Sequence, residues 1–143
     1  MPSSSKIIVA NALLQRRPDT YKGDYGHIFV VAGSQGFIGA AILCANSAMR
    51  SGAGLVTLGI PESLYGIVAK RVFLEVMVKP LPETKDKTLS LPAYKKISDF
   101  AQKGDCIAIG PGVSRNPSTQ KLVRKIVKAI GKPMVIDADG LNA

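Results

Sequence analysis

Residues 27–41 read HIFVVAGSQGFIGAA, an apolar run that ends in glycine and passes into a second apolar pattern. A short apolar run bounded by glycine predicts a strand that is buried on both faces. From Ile38 to Met49 the apolar residues recur at three- and four-residue spacing, which predicts a helix that ends before Gly52. A strand that leads directly into a helix is typical of a parallel α/β sheet.

Strand patterns recur along the rest of the chain. Further strands are predicted at residues 55–60, 105–109 and 134–136, and residues 72–78 form another β-rich run before the break at Pro80 and Pro82. The connections between strands are long enough for helices and too long for hairpins. We therefore predict an α/β fold with a mostly parallel sheet and helices on both faces.

Helix patterns occupy most of the connections. Helices are predicted at residues 62–71, 92–104 and 116–131, with Ser90 capping the second and Asn116 or Ser118 opening the third. Residues 81–90 follow Pro80, contain Pro82 and are rich in polar side chains, so they are predicted to form a surface loop.

The bulk composition predicts one globular domain. The chain has 143 residues, of which 46% are hydrophobic and 20% charged, a balance typical of an ordinary folded protein. Neither a signal peptide nor a membrane span is found in the sequence, so a cytoplasmic protein is expected. Cys44 and Cys106 are far apart and lack a C-x-x-C pattern, which predicts two reduced, buried cysteines and no zinc site.

A formal net charge of +9 raises the question of an anionic partner. Four basic residues share one face of the last predicted helix, opposite Leu122 and Ile126: Lys121, Arg124, Lys125 and Lys128. No aromatic residues interleave with them. This pattern is typical of a solvated helix face and disfavours nucleic acid as a partner. A non-enzymatic module that binds anions or nucleic acid through charge alone stays as an alternative.

Three loops are candidates for a binding site because ligands of open α/β sheets bind at the carboxyl ends of the strands. Residues 33–41 carry glycine at every third position before a helix, although they match neither the dinucleotide fingerprint nor the Walker loop. Residues 110–115 combine Gly110 and Gly112 with Arg115, which could pair with a phosphate. Plain tight turns would also explain both patterns.

The third loop, residues 137–142, places two carboxylates and an amide after a strand. Such groups suit hydroxyls or a hydrated cation, although simple capping of the next helix is the alternative. His27 begins a strand at the opposite edge of the sheet, so it is not predicted to be a catalytic base. No serine can be matched with a histidine and an acid at one edge, which leaves a hydrolytic triad without support.

Five blocks of sequence, taken in order, carry a family resemblance: residues 22–27 (KGDYGH), 39–41 (GAA), 50–57 (RSGAGLVT), 110–112 (GPG) and 137–143 (DADGLNA). Together they resemble the ADP- or ATP-dependent NAD(P)H-hydrate dehydratases of the ribokinase-like superfamily, over residues 17–143. The resemblance implies a ribokinase-like domain that spans residues 1–143 with a short extension at about residues 1–16. It also implies that the chain stops after about half of the domain.

The resemblance implies a metabolite-repair reaction. The S epimer of hydrated NADH or NADPH is phosphorylated on its hydroxyl by ADP or ATP, and elimination of phosphate restores NADH or NADPH. A divalent cation, Mg²⁺, is expected to assist, and an NAD(P)H-hydrate epimerase is the expected functional partner. A homo-oligomer is expected, without nucleic-acid or membrane partners.

The resemblance also implies which residues bind the substrate. The family's general base lies beyond Ala143, so no catalytic residue is named and the isolated chain is expected to be inactive. No metal ligand is assigned. Because its final strand and sheet faces would lack their covering elements, the isolated chain is also expected to be poorly soluble or to self-associate. Asp137 and Asp139 are candidates for polar or cation support. The residues expected to contact the substrate are Ala40, Gly112, Val113, Ser114, Arg115, Asn116 and Asn142.

A kinase of the same superfamily that phosphorylates a vitamin precursor or a sugar is the runner-up. It would share the sheet and the phosphoryl chemistry but release a phosphorylated product. The blocks at residues 22–26 and 50–54 favour the dehydratase.

Overall fold

The computed structural model describes residues 16–143, so nearly all of the predicted N-terminal extension lies outside the described residues. Within them lies a five-stranded sheet in the order β3-β2-β1-β4-β5, and every neighbouring pair is parallel. The strands are β1 (His27–Val31), β2 (Leu55–Pro61), β3 (Val76–Leu81), β4 (Cys106–Ile109) and β5 (Met134–Ile136). The predicted parallel sheet is confirmed.

Four α-helices connect these strands: α1 (Ile38–Arg50), α2 (Tyr65–Ala69), α3 (Ala93–Ala101) and α4 (Pro117–Ala129). Short 3-10 turns occupy Lys22–Tyr25, Glu62–Leu64 and Ala138–Gly140. The helix predicted at residues 62–71 is wrong in length, because a 3-10 turn and the short α2 replace it. Only Val68 of α2 is buried, so little packing is available to sustain a longer helix.

The two faces of the sheet pack against different helices. Phe29 and Val31 of β1 lie in one buried cluster with α3 and α4, whereas Val30 belongs to a second cluster with α1 and α2. Alternate residues of a strand point to opposite faces, so the near-continuous apolar run of β1 fills both clusters. Helices on both faces are therefore confirmed.

The strand predicted at residues 72–78 is displaced in the structure to Val76–Leu81 and passes through Pro80. A proline cannot donate to a ladder, but in the sheet formed by residues 16–143 β3 is an edge strand whose partner is β2, and Pro80 lies opposite Ile60. The residues before β3 form a turn that closes between the Val76 amide and the Phe73 carbonyl. Proline therefore does not end the strand here.

The predicted surface loop at residues 81–90 is largely packed into the protein. Leu81 and Leu89 are fully buried in the α3–α4 cluster. The Thr119 hydroxyl donates to the Leu89 carbonyl at 2.6 Å, so the loop is tied to α4. Ser90 is also buried, and its carbonyl, rather than its side chain, accepts from the Ala93 amide at the start of α3. The prediction that its side chain caps a helix was wrong.

Other expectations are confirmed in part. Asn116 caps α4, since its side-chain oxygen accepts from the Ser118 amide at 2.9 Å. The basic face of α4 is exposed and Leu122 and Ile126 are buried. Both cysteines are free but only half-buried. Over residues 16–143, every helix is too short or too polar to cross a membrane.

In the sheet that residues 16–143 form, β5 is an edge strand, and this position leads to a prediction. Val135 is 59% exposed on the same sheet face as α1, and Leu141 after the strand is also exposed. An unpaired edge strand beside exposed apolar side chains is a template for association. We expect the 143-residue chain to form dimers or larger species in sedimentation velocity, and Val135→Lys to shift it toward monomer. A chain that is monomeric at every concentration tested would contradict this expectation.

Candidate functional site

The loops at the carboxyl edge of the sheet are tied to one another by main-chain contacts. We call them the β1 loop (residues 32–37), the β3 loop (82–90), the β4 loop (110–116) and the β5 loop (137–143). The Gly33 amide donates to the Pro111 carbonyl at 2.8 Å. The buried Ser34 hydroxyl donates to the Gly112 carbonyl at 2.7 Å. The β1 and β4 loops are therefore held as one unit.

Gly112 lies directly against the start of α1. A Cβ built on Gly112 would lie 2.9 Å from the Phe37 Cβ and 3.1 Å from the Ala40 Cβ, and its φ of +65° favours glycine. The family resemblance predicted that Gly112 contacts the substrate. The structure shows that a Cβ at this position would meet Phe37 and Ala40 first, so Gly112 permits the contact between these loops.

The β4 and β5 loops touch through two glycines. A Cβ on Gly110, whose φ is +124°, would lie 1.9 Å from the Asp137 carbonyl oxygen, and a Cβ on Gly140 would lie 2.9 Å from the Ile109 carbonyl oxygen. The Asp137 amide also donates to the Ile109 carbonyl at 3.1 Å. The backbone of the β5 loop therefore fits against the β4 loop only because side chains are absent.

Asp139 holds the far part of the β4 loop. Its Oδ2 accepts from the Ser114 amide at 3.2 Å, and its Oδ1 lies 3.9 Å from Nε of Arg115. Ser114 has a φ of +76°, a conformation that non-glycine residues rarely adopt. Asp139 thus stabilises a strained turn and leaves the Arg115 side chain 70% exposed.

The β3 loop joins the same edge, which the sequence did not predict. The Gln35 amide of the β1 loop donates to the Lys87 carbonyl at 3.1 Å. The Asn116 side chain donates to the Asp86 carboxylate at 2.9 Å. The polar run from Thr84 to Thr88, placed just after a strand, is the signal in the sequence that could have indicated this role.

The structure separates the predicted substrate residues into groups. Gly112, Ser114, Arg115 and Asn116 lie in the β4 loop. Ala40 lies in the first turn of α1, next to Gly112. The Val113 side chain is fully buried in the α3–α4 cluster, so only its backbone could contact a substrate. Asn142 is exposed on the α4 side of the edge. Its side-chain amide donates to the Ala138 carbonyl at 3.4 Å, and its backbone carbonyl accepts from the Gln120 side chain.

The carboxylates of the β5 loop do not form a complete cation site. Asp137 is exposed, and Asp139 is engaged with Ser114 and Arg115. In the part of the chain that the structure describes, no three His, Cys, Asp or Glu side chains are grouped to hold a metal ion. Burial, and secondly the charge of Asp137, raise the pKa of the nearby Cys44 thiol, which disfavours a nucleophilic thiolate.

His27 lies at the amino edge, as predicted. Its Nε2 is 2.8 Å from the Thr57 hydroxyl. Burial lowers the pKa of His27, and the nearby Asp105 charge opposes this shift. At the same edge a Cβ on Gly54 would overlap the Lys22 carbonyl oxygen, at 1.6 Å. The sequence blocks at residues 22–27 and 50–57 therefore pack against each other, away from the four loops.

Known proteins resemble the chain in sequence and in fold. The family model described as NAD(P)H-hydrate dehydratase matches residues 28–143. A bifunctional NAD(P)H-hydrate repair enzyme of Moorella thermoacetica is 41% identical over 131 residues, which make up 92% of this chain and 24% of that protein. The corresponding protein of Thermofilum pendens is 36% identical over 128 residues, or 90% of this chain and 24% of its own length.

Solved structures place the fold in the ribokinase-like class. A ribokinase-like superfamily protein of Enterococcus faecalis superposes with a TM-score of 0.73 at 22% identity, covering 94% of this chain and 46% of that chain. The ADP/ATP-dependent NAD(P)H-hydrate dehydratase of Bacillus subtilis, co-crystallized with ATP/Mg²⁺, has a TM-score of 0.68 at 30% identity and covers 89% and 42%.

This chain spans about a quarter of the length of the curated relatives and under half of these solved structures. The family model nevertheless covers most of the sequence, from β1 through the β5 loop. The chain therefore belongs to the NAD(P)H-hydrate dehydratase family.

Proposed function

We propose that the gene product containing this chain converts the S epimer of hydrated NADH or NADPH back to NADH or NADPH, with ADP or ATP as phosphoryl donor. Membership of the family supports the reaction class. The observation that carries the proposal is the junction of the β1 and β4 loops, where Gly112 fits against Phe37 and Ala40 at the ligand-binding edge of the sheet.

The chemistry explains why a nucleotide is needed. Hydroxide is a poor leaving group from a hydrated nicotinamide ring, whereas phosphate leaves readily. Transfer of the terminal phosphoryl group to the ring hydroxyl, with loss of the hydroxyl proton, is followed by elimination. The C–O bond to phosphate and a C–H bond on the neighbouring ring carbon break, phosphate and a proton leave, and the ring double bond forms. The general base is not assigned to any described residue.

The described loops would form the substrate side of this site. Phe37 is 57% exposed beside Ala40, so its ring offers an apolar surface for the dihydropyridine ring of the substrate. Arg115 is exposed and can pair with a phosphate of the dinucleotide. Backbone groups from Gly112 to Asn116 would contact the remainder, and Asp139 acts as a positioning residue for that turn. Asn142 would contribute from the rim.

Mg²⁺ accompanied ATP in the Bacillus subtilis crystals. In residues 16–143 the acidic groups Asp137 and Asp139 do not complete a site for such an ion. We therefore assign no step of the reaction to a cation held by these residues.

The relatives are bifunctional repair enzymes. Hydration of the nicotinamide ring creates a stereocentre, and an enzyme specific for one epimer leaves the other behind. We therefore propose a functional link to an NAD(P)H-hydrate epimerase, which would supply the S epimer.

Product analysis tests the proposal. We expect the gene product, given hydrated NADPH and ADP or ATP, to form NADPH and inorganic phosphate in equal amounts, because the phosphorylated intermediate collapses by elimination. Both products should be measured in the same reaction, with nucleotide omitted as the control. Accumulation of a stable phosphorylated product would contradict the dehydratase and favour the kinase of the same superfamily.

A further inference from the structure

A concavity between β3 and α3 is lined by residues outside the four loops. Its volume is about 390 Å³, and it is lined by Lys79, Pro80, Lys96, Asp99, Phe100 and Lys103. We call it the basic cavity. Ligand sites of small molecules commonly have volumes of roughly 300–1,000 Å³, so the basic cavity is large enough for a small metabolite.

Lys79 is held in place at this cavity. Lys79 lies in β3, and its side chain is on the sheet face that α3 covers, the face to which Leu81 also contributes. Its ammonium lies 4.9 Å from the centre of the Phe100 ring, within the range of a cation–π contact. The side chain is half-buried, so part of its stem is packed rather than free in solvent.

The lining is unbalanced in charge. Three lysines face one carboxylate, that of Asp99. The ion pairs found among residues 16–143 are Arg17–Asp19 and Arg115–Asp139, so within those residues none of the three lysines forms an ion pair. Like charges around a concave surface raise the local concentration of an anion.

Protection of the sheet edge explains part of this arrangement. Lysine and proline on an edge strand prevent pairing with another chain, which accounts for Lys79 and Pro80. It does not account for Lys96 in α3 or for Lys103 in the turn that follows α3. Both line the same cavity from the side opposite β3.

We propose that the basic cavity binds a small phosphorylated metabolite at a site separate from the candidate substrate site. The phosphoryl oxygens meet the ammonium groups of Lys79, Lys96 and Lys103, which bind phosphate as point charges. The apolar part of the ligand lies against Phe100 and Pro80. Asp99, which also lines the cavity, disfavours ligands whose negative charge is spread over their whole surface.

Calorimetric titration of the chain with inorganic pyrophosphate tests this site. We expect saturable binding at one site, weakened about fivefold by Lys79→Met and by Lys96→Met, since each removes one of three charges. Lys125→Met is a matched control: the Lys125 ammonium lies 4.2 Å from the centre of the Tyr94 ring, on α4 and outside the cavity. This variant should bind as the unmodified chain does.

Equal weakening in all three variants would overturn the proposal, because it would show that the net charge of +9 attracts the anion without a defined site. Absence of saturable binding would overturn it as well. Lys96 is exposed on α3, so its variant remains informative even if the Lys79 variant is poorly folded.

Discussion

Replacing Gly110 by alanine is expected to lower the free energy of unfolding by about 4 kcal/mol, from backbone strain and overpacking of about 1–3 kcal/mol each. The new Cβ would lie 1.9 Å from the Asp137 carbonyl oxygen and 2.7 Å from the Gly140 amide nitrogen, at a φ of +124°. Because both contacts are backbone atoms, no side-chain rotation relieves them. Urea unfolding followed by circular dichroism measures the change.

Gly36→Ala is the matched control for this substitution. Gly36 also has a positive φ, +84°, and nothing lies within 4 Å of a Cβ built on it. Only the backbone penalty of about 1–2 kcal/mol should then apply. Similar losses for both variants would show that the β5 loop does not lie against Gly110 as described.

The second large effect is expected at Ala40. This residue is half-buried at the start of α1 and lies next to Gly112. In the active gene product, Ala40→Leu would fill the space above the junction of the β1 and β4 loops. We expect the KM for hydrated NADPH to rise at least tenfold, about 1.4 kcal/mol of lost binding, while nucleotide affinity changes little.

Ser47→Leu serves as the control, because Ser47 is exposed on the same helix and lies seven residues, roughly 10 Å, further along it. It adds the same side chain far from the loops and should leave KM unchanged. Gly112→Val is less informative than Ala40→Leu, since its clash with Phe37 and Ala40 also disturbs the fold. An unaltered KM for a well-folded Ala40→Leu protein would remove this junction from the substrate site.

Most of the sheet could be predicted because central strands have a strong sequence signal. β1 fills both buried clusters, so every residue from Phe29 to Val31 must be apolar. The edge strand β3 needs less burial and can accept Lys79 and Pro80. The predicted bounds of β3 were therefore wrong, because Pro80 would end the pairing of a central strand but is tolerated in an edge strand.

The location of the candidate site could be predicted from topology, but its detailed packing could not. Parallel strands place their following loops at one edge, so the glycine-rich segments had to meet there. The burial of Val113 and the contacts of Lys87 with Gln35 depend on tertiary structure. No local pattern in the sequence distinguishes a glycine that admits a ligand from one that admits a neighbouring loop.

The family resemblance drew on residues with different roles. The blocks at residues 22–27 and 50–57 pack together at the amino edge through Gly54, and His27 is bonded to Thr57 there. These contacts stabilise the start of β1 and β2. The blocks at residues 39–41, 110–112 and 137–143 form the opposite edge. Sequence alone could not separate the structural blocks from those at the site.

The structure of the gene product with hydrated NADPH bound would test the central claim most directly. We predict that the hydrated ring lies within about 4 Å of Ala40, Phe37 and the backbone from Gly112 to Asn116, the distance of direct contact. The Arg115 side chain should turn toward a phosphate of the dinucleotide. A ligand bound at the amino edge near His27, or only in the basic cavity between β3 and α3, would contradict the assignment of these loops to the substrate.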